Sequence, residues 1–292
     1  MDGIIVVNKE KDLTSHQVVN IVRRALGTRR VGHVGTLDPL ATGVLVVCVE
    51  GATKLSPFLM TDDKEYQTEI IVGIASDTED ITGTITEKME VNSLSQEEVD
   101  QVLATLVGDL EQLPPHYSAV KINGKKLYEY ARANVEVDRK PRVITIKDIK
   151  RTSNIEIKDG LAKFSFWTHV SKGTYVRTLC TEIGKRLGYP ALMSGLTRVR
   201  SGKFKIEQAN TIEEIQNGTY KMISMLEALS DFDQIELDNK TEKLVLNGMM
   251  VPTNLVPSSA DMIVFKQVGQ LVGIYEKNNF NYKAVRIWKQ YL

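Results

Sequence analysis

Apolar and polar positions recur with definite periods along this chain, and each change of period marks a change of element. Gly3–Asn8 is a short apolar run that predicts a strand. Val18, Val19, Ile21, Val22 and Leu26 recur at helical spacing, with Thr14 or Ser15 placed to cap that helix and Gly27 to stop it. Val44–Val49 is continuously apolar and rich in β-branched residues, which predicts a buried strand. Lys64–Gly73 alternates and predicts another strand, with Tyr66 near its start. Ser95–Glu98 forms a capping box that opens a helix to about Leu106. Val143–Ile157 and Leu161–Val170 are expected to pair as strands around the turn Lys158-Asp159-Gly160. Thr174–Leu187 reads as a helix ended by Gly188, with Pro190 beyond.

Two segments stand apart. Pro114–Pro141 is polar, basic and tyrosine-bearing with a proline at each end, and reads as an extended excursion from the main sheet. The tail from about Ser230 shows short weak strands, such as Met262–Phe265 and Leu271–Tyr275, and reads as a small β-rich appendage.

Charge adds a second pattern. The formal net charge is zero, yet from Asp62 to Gln112 acids outnumber bases by 14 to 2, and from Lys163 to Lys205 bases outnumber acids by 9 to 1. A further basic stretch runs from Lys121 to Arg151. Such segregation lets one face bind a polyanion without a basic overall pI, unless the acidic stretch offsets it in space. Hydrophobic content of 42 % and charged content of 25 % are ordinary for a soluble globular protein. The run Ile4–Val7 is too short for a signal peptide, and no stretch approaches the roughly 20 apolar residues that span a bilayer. Cys48 and Cys180 lie within apolar or helical patterns, without zinc-site spacing. A soluble cytoplasmic protein is expected.

Chemistry concentrates between the first helix and Val44, in Gly32-His33-Val34-Gly35-Thr36-Leu37-Asp38-Pro39-Leu40-Ala41-Thr42-Gly43. This stretch is too glycine-rich for a helix and too broken for a strand, so it reads as a rigid loop on a sheet. Pro39 fixes its own φ and restricts Asp38, which aims one carboxylate at one place. An Asp-Pro pair taken alone also starts ordinary turns.

The whole stretch resembles the catalytic motif of the TruB family, the bacterial tRNA pseudouridine-55 synthases, which reads G-H-x-G-x-L-D-P-x-A-x-G. Ser171-Lys172-Gly173-Thr174-Tyr175-Val176-Arg177-Thr178 resembles the same family's K-G-x-Y-x-R motif. The resemblance implies an α+β fold, with a mixed, largely antiparallel central sheet and flanking helices over residues 1–229. A small C-terminal β-rich PUA-like domain, for RNA binding, would follow over residues 230–292. It implies a catalytic set of Asp38 as nucleophile, Tyr66 stacked on the target base and Arg177 paired with the aspartate. Tyr175 and Leu196 would line the uracil pocket, and His33 would sit beside it. Residues 114–141 match the family's thumb-like insertion, where Lys121, Lys125, Lys126, Arg132, Arg139, Lys140 and Arg142 would hold RNA. Lys172, Arg198 and Arg200 would add to that surface, the last two either by meeting phosphates or by supporting the active loop.

The implied reaction isomerises uridine 55 in the tRNA T-loop and needs no metal, redox cofactor or energy donor. The implied partner is tRNA, bound by a stand-alone monomer with no guide RNA, protein partner or membrane. A related enzyme acting on another uridine or using a guide RNA, and a non-catalytic RNA-binding protein on the same scaffold, remain open. A glycosidase would need a second carboxylate at a defined separation, and no second acid shows a comparable motif.

Overall fold

The computed structural model describes residues 2–60, 63–133 and 135–288. Asp62, the first residue of the acidic stretch, lies outside the described residues, as do Asn134 of the thumb segment and the end of the 230–292 tail. The first strands are β1 (Gly3–Lys9), β2 (Val31–Val34), β3 (Thr42–Val49) and β4 (Lys64–Val72). A short pair, β5 (Ile74–Ser76) and β6 (Ile85–Lys88), precedes β7 (Gly108–Gln112). β8 (Lys121–Ile122) and β9 (Lys125–Lys126) make a small hairpin, and β10 (Arg142–Arg151), β11 (Glu156–Lys158), β12 (Leu161–Val170), β13 (Ala191–Ser201) and β14 (Phe204–Lys205) follow. The central sheet runs β1-β3-β13-β4-β12-β10-β7, antiparallel except where β13 meets β3.

Among the described residues, the α-helices between β1 and β13 are α1 (Ser15–Leu26), α2 (Ser56–Leu59), α3 (Gln96–Ala104), α4 (Leu127–Arg132) and α5 (Val176–Leu187). Burial explains the two hydrophobic periods. β1 and β3 are covered on both faces and are apolar almost throughout. On one face Ile5, Val7, Leu45 and Val47 meet Val18, Val19 and Val22 of α1 (Ser15–Leu26). β4 and β12 alternate because one face alone is covered: Tyr66, Ile70, Val72, Phe164 and Phe166 pack with Val176, Leu179 and Ile183 of α5 (Val176–Leu187). Helix ends follow the sequence signals. Thr14 and Gln17 form a reciprocal capping box on α1, and Gly27 and Gly188 close α1 and α5 in left-handed conformation.

The last strands are β15 (Asp233–Glu236), β16 (Val251–Pro252), β17 (Met262–Gln267), β18 (Gln270–Asn278) and β19 (Asn281–Ile287). They form a second, five-stranded sheet in the order β15-β17-β18-β19-β16. Its Val264, Leu271 and Ile274, with Trp288, share one core with Ile4, Val6, Val46 and Cys48 of the central sheet. Trp288 is 1 % exposed and its indole N–H donates to the Gly51 carbonyl at 2.9 Å.

Three expectations change in detail. Gly32, His33 and Val34 belong to β2, paired with Cys48, Val47 and Val46 of β3, so the loop is confined to Gly35–Ala41. The glycines do not forbid this strand, because β3 supplies its ladder. The stretch Val143–Ile157 is divided into β10 and β11; both pair antiparallel with β12 as expected, β11 in the tight hairpin about Asp159-Gly160. Tyr175 is not in the first helical turn; it is the extended N-cap of α5.

Candidate active site

The loop that carries Asp38 is held from three sides. Ser15 Oγ donates to the Leu37 carbonyl at 3.0 Å and accepts from the Leu37 amide at 2.9 Å. Lys9, wholly buried at the end of β1, donates to the carbonyls of Leu13 (2.6 Å), Glu10 (2.8 Å) and Pro39 (3.3 Å). Arg198 of β13, 1 % exposed, donates to the carbonyls of Gly35 (2.9 Å) and Val44 (2.8 Å). Gly43 makes this possible: its φ is +94°, and a Cβ there would stand 2.3 Å from the Arg198 carbonyl oxygen.

Arg177, in the first turn of α5, is 6 % exposed. Its Nη2 lies 3.1 Å from Asp38 Oδ2, and its Nη1 lies 3.7 Å from Asp80 Oδ2. The same guanidinium donates to the carbonyls of Thr78 (3.1 Å) and Tyr117 (2.9 Å). Asp80 is itself buried and accepts from the Thr82 amide at 2.9 Å and the Thr78 hydroxyl at 2.9 Å. The cap of α5 is fixed by Gln112, whose side chain accepts from the Tyr175 amide (2.7 Å) and donates to the Tyr175 carbonyl (3.0 Å).

Ser15, Asp38, Tyr117, Tyr175, Arg177 and Arg198 border a cleft of about 920 Å³. His33, Tyr66 and Leu196 line it too, together with Lys126, Arg142, Lys172 and the buried Arg198 of the expected RNA-holding residues. The Asp38 side chain keeps 42 % of its surface open to the cleft. Protein crowds it elsewhere, and burial pushes its pKa above the ordinary carboxylate value. Arg177 and Lys9 oppose that rise, while Asp80 adds to it. The arginine therefore moderates the carboxylate without holding it below the usual range. Burial also lowers Lys9, to about 8, and lowers His33, with the Arg198 charge adding to the latter.

The expected basic residues divide by what they touch. Lys121, Lys125, Arg132 and Lys140 are exposed on the segment between β7 and β10. That segment contains the β8–β9 hairpin and the short helix α4 (Leu127–Arg132), with Tyr128 flanked by Lys126 and Arg132, each 5.4 Å from its ring centre. Arg139 donates to the Pro114 carbonyl at 2.8 Å and ties the two ends of the segment together. Two of the expected basic residues, for which the sequence left open either phosphate contact or support of the active loop, are engaged by the protein itself. Arg198 is spent on the loop carbonyls and supports the Asp38 loop; its guanidinium does not present itself to phosphate. Arg200 pairs with Glu65 at 2.6 Å and also donates to the Gly202 carbonyl, on the face of β4 opposite Tyr66. Sequence reading missed Lys9, Asp80, Ser15 and Gln112 as supports. The one faint signal was the acid run Asp77–Asp80 beside a strand end.

Two family models cover most of the chain. The TruB family pseudouridylate synthase N-terminal domain matches residues 23–176, and the tRNA pseudouridylate synthase B C-terminal domain matches residues 177–252. The tRNA pseudouridine synthase B of Bacillus cytotoxicus is 45 % identical over 284 residues, covering 94 % of this chain and 92 % of that protein. The tRNA pseudouridine synthase B of Bacillus anthracis is 43 % identical over the same shares. Among solved structures, an H/ACA RNP bound to a substrate RNA containing 2′-deoxyuridine aligns with TM-score 0.70 at 21 % identity, covering 99 % of this chain and 86 % of that one. A Cbf5-Nop10-Gar1 complex aligns with TM-score 0.70 at 24 % identity, covering 98 % and 84 %; both show likeness of fold. Fold and relatives together define a pseudouridine synthase, an isomerase by class. The chain belongs to the TruB family of pseudouridylate synthases.

Proposed function

We propose that this enzyme converts uridine 55 in the T-loop of tRNA to pseudouridine, with Asp38 as the nucleophile on a flipped-out uridine. The observation that carries the reading is the Asp38–Arg177 pair, 3.1 Å apart on the wall of an open cleft. The relatives' name, tRNA pseudouridine synthase B, supports tRNA as the substrate.

In this reading the N1–C1′ bond breaks, the detached uracil turns within the pocket, and C5 bonds to C1′. Asp38 must be ionised to attack, and Arg177 and Lys9 favour that form against the penalty of burial. Tyr66 stacks on the extruded base, replacing the neighbours it left in the RNA. C5 loses a proton and N1 gains one, and the Tyr66 hydroxyl relays the C5 proton, giving up its own as it accepts; a Tyr66→Phe enzyme of normal rate would sink that role. Tyr175 and Leu196 wall the uracil, and His33, kept neutral by burial, borders it. Lys126, Arg142 and Lys172 meet phosphates at the cleft rim, with Lys121, Lys125, Arg132 and Lys140 extending that surface along the thumb. Residues 1–229 form the catalytic unit, and residues 230–292 form a PUA-like unit that contacts RNA outside the cleft. The enzyme acts alone, as a cytoplasmic monomer.

The test is incubation of the protein and an Asp38→Asn variant with unmodified tRNA transcript, mapped by carbodiimide primer extension. A stop at position 55 with the native protein alone supports both substrate and nucleophile. Modification at another position removes the specificity, and tight binding without modification removes the chemistry.

A further inference from the structure

Among the described residues, the Ser118 hydroxyl is the one unpaired buried hydroxyl on a residue that lines the cleft, where His33 Nδ1 is also unpaired. The residue is 5 % exposed, its Oγ has no hydrogen-bond partner, and it lines the cleft that holds Asp38. Buried hydroxyls are almost always paired, because hydrogen bonds given up to water must be replaced. The backbone around it is clamped. The Tyr117 carbonyl accepts from Arg177 Nη2 at 2.9 Å, and the Ser118 carbonyl accepts from the Tyr128 amide at 3.1 Å. Arg177 Nη2 is also the atom 3.1 Å from Asp38. The unpaired hydroxyl is therefore one residue from the ion pair, on a segment that the ion pair and the thumb helix hold in place.

We propose that Ser118 Oγ contacts the substrate, forming a hydrogen bond with a ribose or phosphate oxygen of the extruded nucleotide. The proposal rests on the reading above, in which this cleft takes a flipped uridine. A hydroxyl both donates and accepts, so it suits a sugar hydroxyl or a phosphate oxygen alike. Serine is a common partner of the sugar–phosphate chain. The cations at the same cleft, Lys126, Arg142 and Lys172, also favour that part of the nucleotide. Local rules such as polar pairing are broken chiefly at functional sites, which places this hydroxyl with the substrate-facing groups.

The test measures binding of T-arm stem-loop RNA to Ser118→Ala and Ser118→Thr, each in an Asp38→Asn background so that no turnover occurs. Three RNAs serve as probes: one with uridine at the target, one with 2′-deoxyuridine, and one with a methylphosphonate on its 5′ side. Ser118→Ala is expected to melt no lower than its parent and to bind the uridine RNA about tenfold more weakly, the scale of one lost hydrogen bond. Ser118→Thr recovers most of that affinity. The penalty disappears on the 2′-deoxyuridine RNA if the partner is the sugar hydroxyl, and on the methylphosphonate RNA if it is the phosphate. An equal penalty on all three RNAs, no penalty on any, or a lower melting temperature with unchanged affinity would overturn the proposal. Pseudouridine formation in the uridine RNA by the unsubstituted enzyme is scored separately. Failure of the site reading then shows as absent product, whatever Ser118 does.

Discussion

Arg177 and Asp38 stand 3.1 Å apart, one 6 % exposed and the other with 42 % of its side chain open to the cleft. The cation is the fixed partner and the acid is the presented one. Arg177→Lys keeps the charge but loses the planar fork that reaches Asp38, Asp80 and two carbonyls. Single-turnover rates are expected to fall by about 10²–10³-fold, the scale of removing one preorganised group from an active site. A lysine variant at near-native rate would contradict this. Arg177→Ala should cost about 3–5 kcal/mol in denaturant unfolding, because Asp80 is left buried beside no cation.

Asp38 links activity and stability to pH in opposite directions. Its pKa is raised in the folded state, chiefly by burial. Between the ordinary carboxylate value and the raised one, the native state holds more protons than the unfolded chain. Stability contributed by this group therefore falls as pH rises through that window and stays lower above it. Asp38→Asn should then raise the melting temperature at neutral pH, with the gain vanishing below the ordinary carboxylate range. The native enzyme's rate should fall on its acid side above the usual value of about 4. Calorimetry at neutral and acid pH checks the first, and a pH–rate profile the second. A lower melting temperature for Asp38→Asn at neutral pH would reverse the sign.

Lys9 gives the alkaline counterpart. Its pKa is lowered to about 8 from 10.5, so between those values the unfolded chain keeps a proton that the native state has released. The native enzyme should gain stability relative to Lys9→Met as pH rises through that interval. The rate should decline above about pH 8 as the cation near Asp38 is lost, and Lys9→Met should lack that limb. An identical alkaline limb in both proteins would remove Lys9 from the account.

Much of this was legible in the sequence, for identifiable reasons. The strands β1, β3, β4 and β12, the helices α1 and α5 and their caps follow from local periodicity and from Thr14, Gly27 and Gly188. Asp38 and Arg177 were legible as members of two motifs, but their meeting depends on β3, β13 and β4 lying side by side, which no local pattern encodes. Arg198 and Arg200 were left with two open roles because a sequence shows charge and not burial: two arginines in a basic strand look alike, yet one is spent on the Gly35 and Val44 carbonyls and the other pairs with Glu65. Lys9 and Gln112 were invisible because the bonds that tie them to the site, to the Pro39 carbonyl and to the Tyr175 backbone, join parts of the chain distant in sequence.

Salt dependence separates the cleft cations from the spent ones. If Arg142 and Lys172 meet phosphates, Arg142→Gln and Lys172→Gln should each reduce the slope of log affinity against log salt by about one. Arg200→Gln should leave the slope unchanged, since that side chain is paired with Glu65. Filter binding of tRNA across a salt series distinguishes the cases, and equal slopes for all three variants would refute the division.

Trp288 joins the two sheets. Trp288→Ala should destabilise the protein by about 3–5 kcal/mol, the range for deleting a large buried aromatic. Trp288→Phe should cost less, since it keeps most of the packing and loses the bond to Gly51. Denaturant unfolding measures both, and a cost below about 1 kcal/mol for the alanine variant would mean that the shared core closes without it.

The strands on either side of the thumb, β7 and β10, are hydrogen-bonded neighbours from Gly108 opposite Ile146 to Gln112 opposite Arg142. The chain between them leaves the sheet and rejoins it almost where it left. Lengthening, trimming or exchanging the outer part of that insert, beyond the Tyr117–Ser118 stretch that Arg177 holds, leaves every strand of the central sheet in register. That outer part can thus drift within one lineage while the Asp38–Arg177 pair stays constant, and a graft from a distant homologue has a ready-made seam.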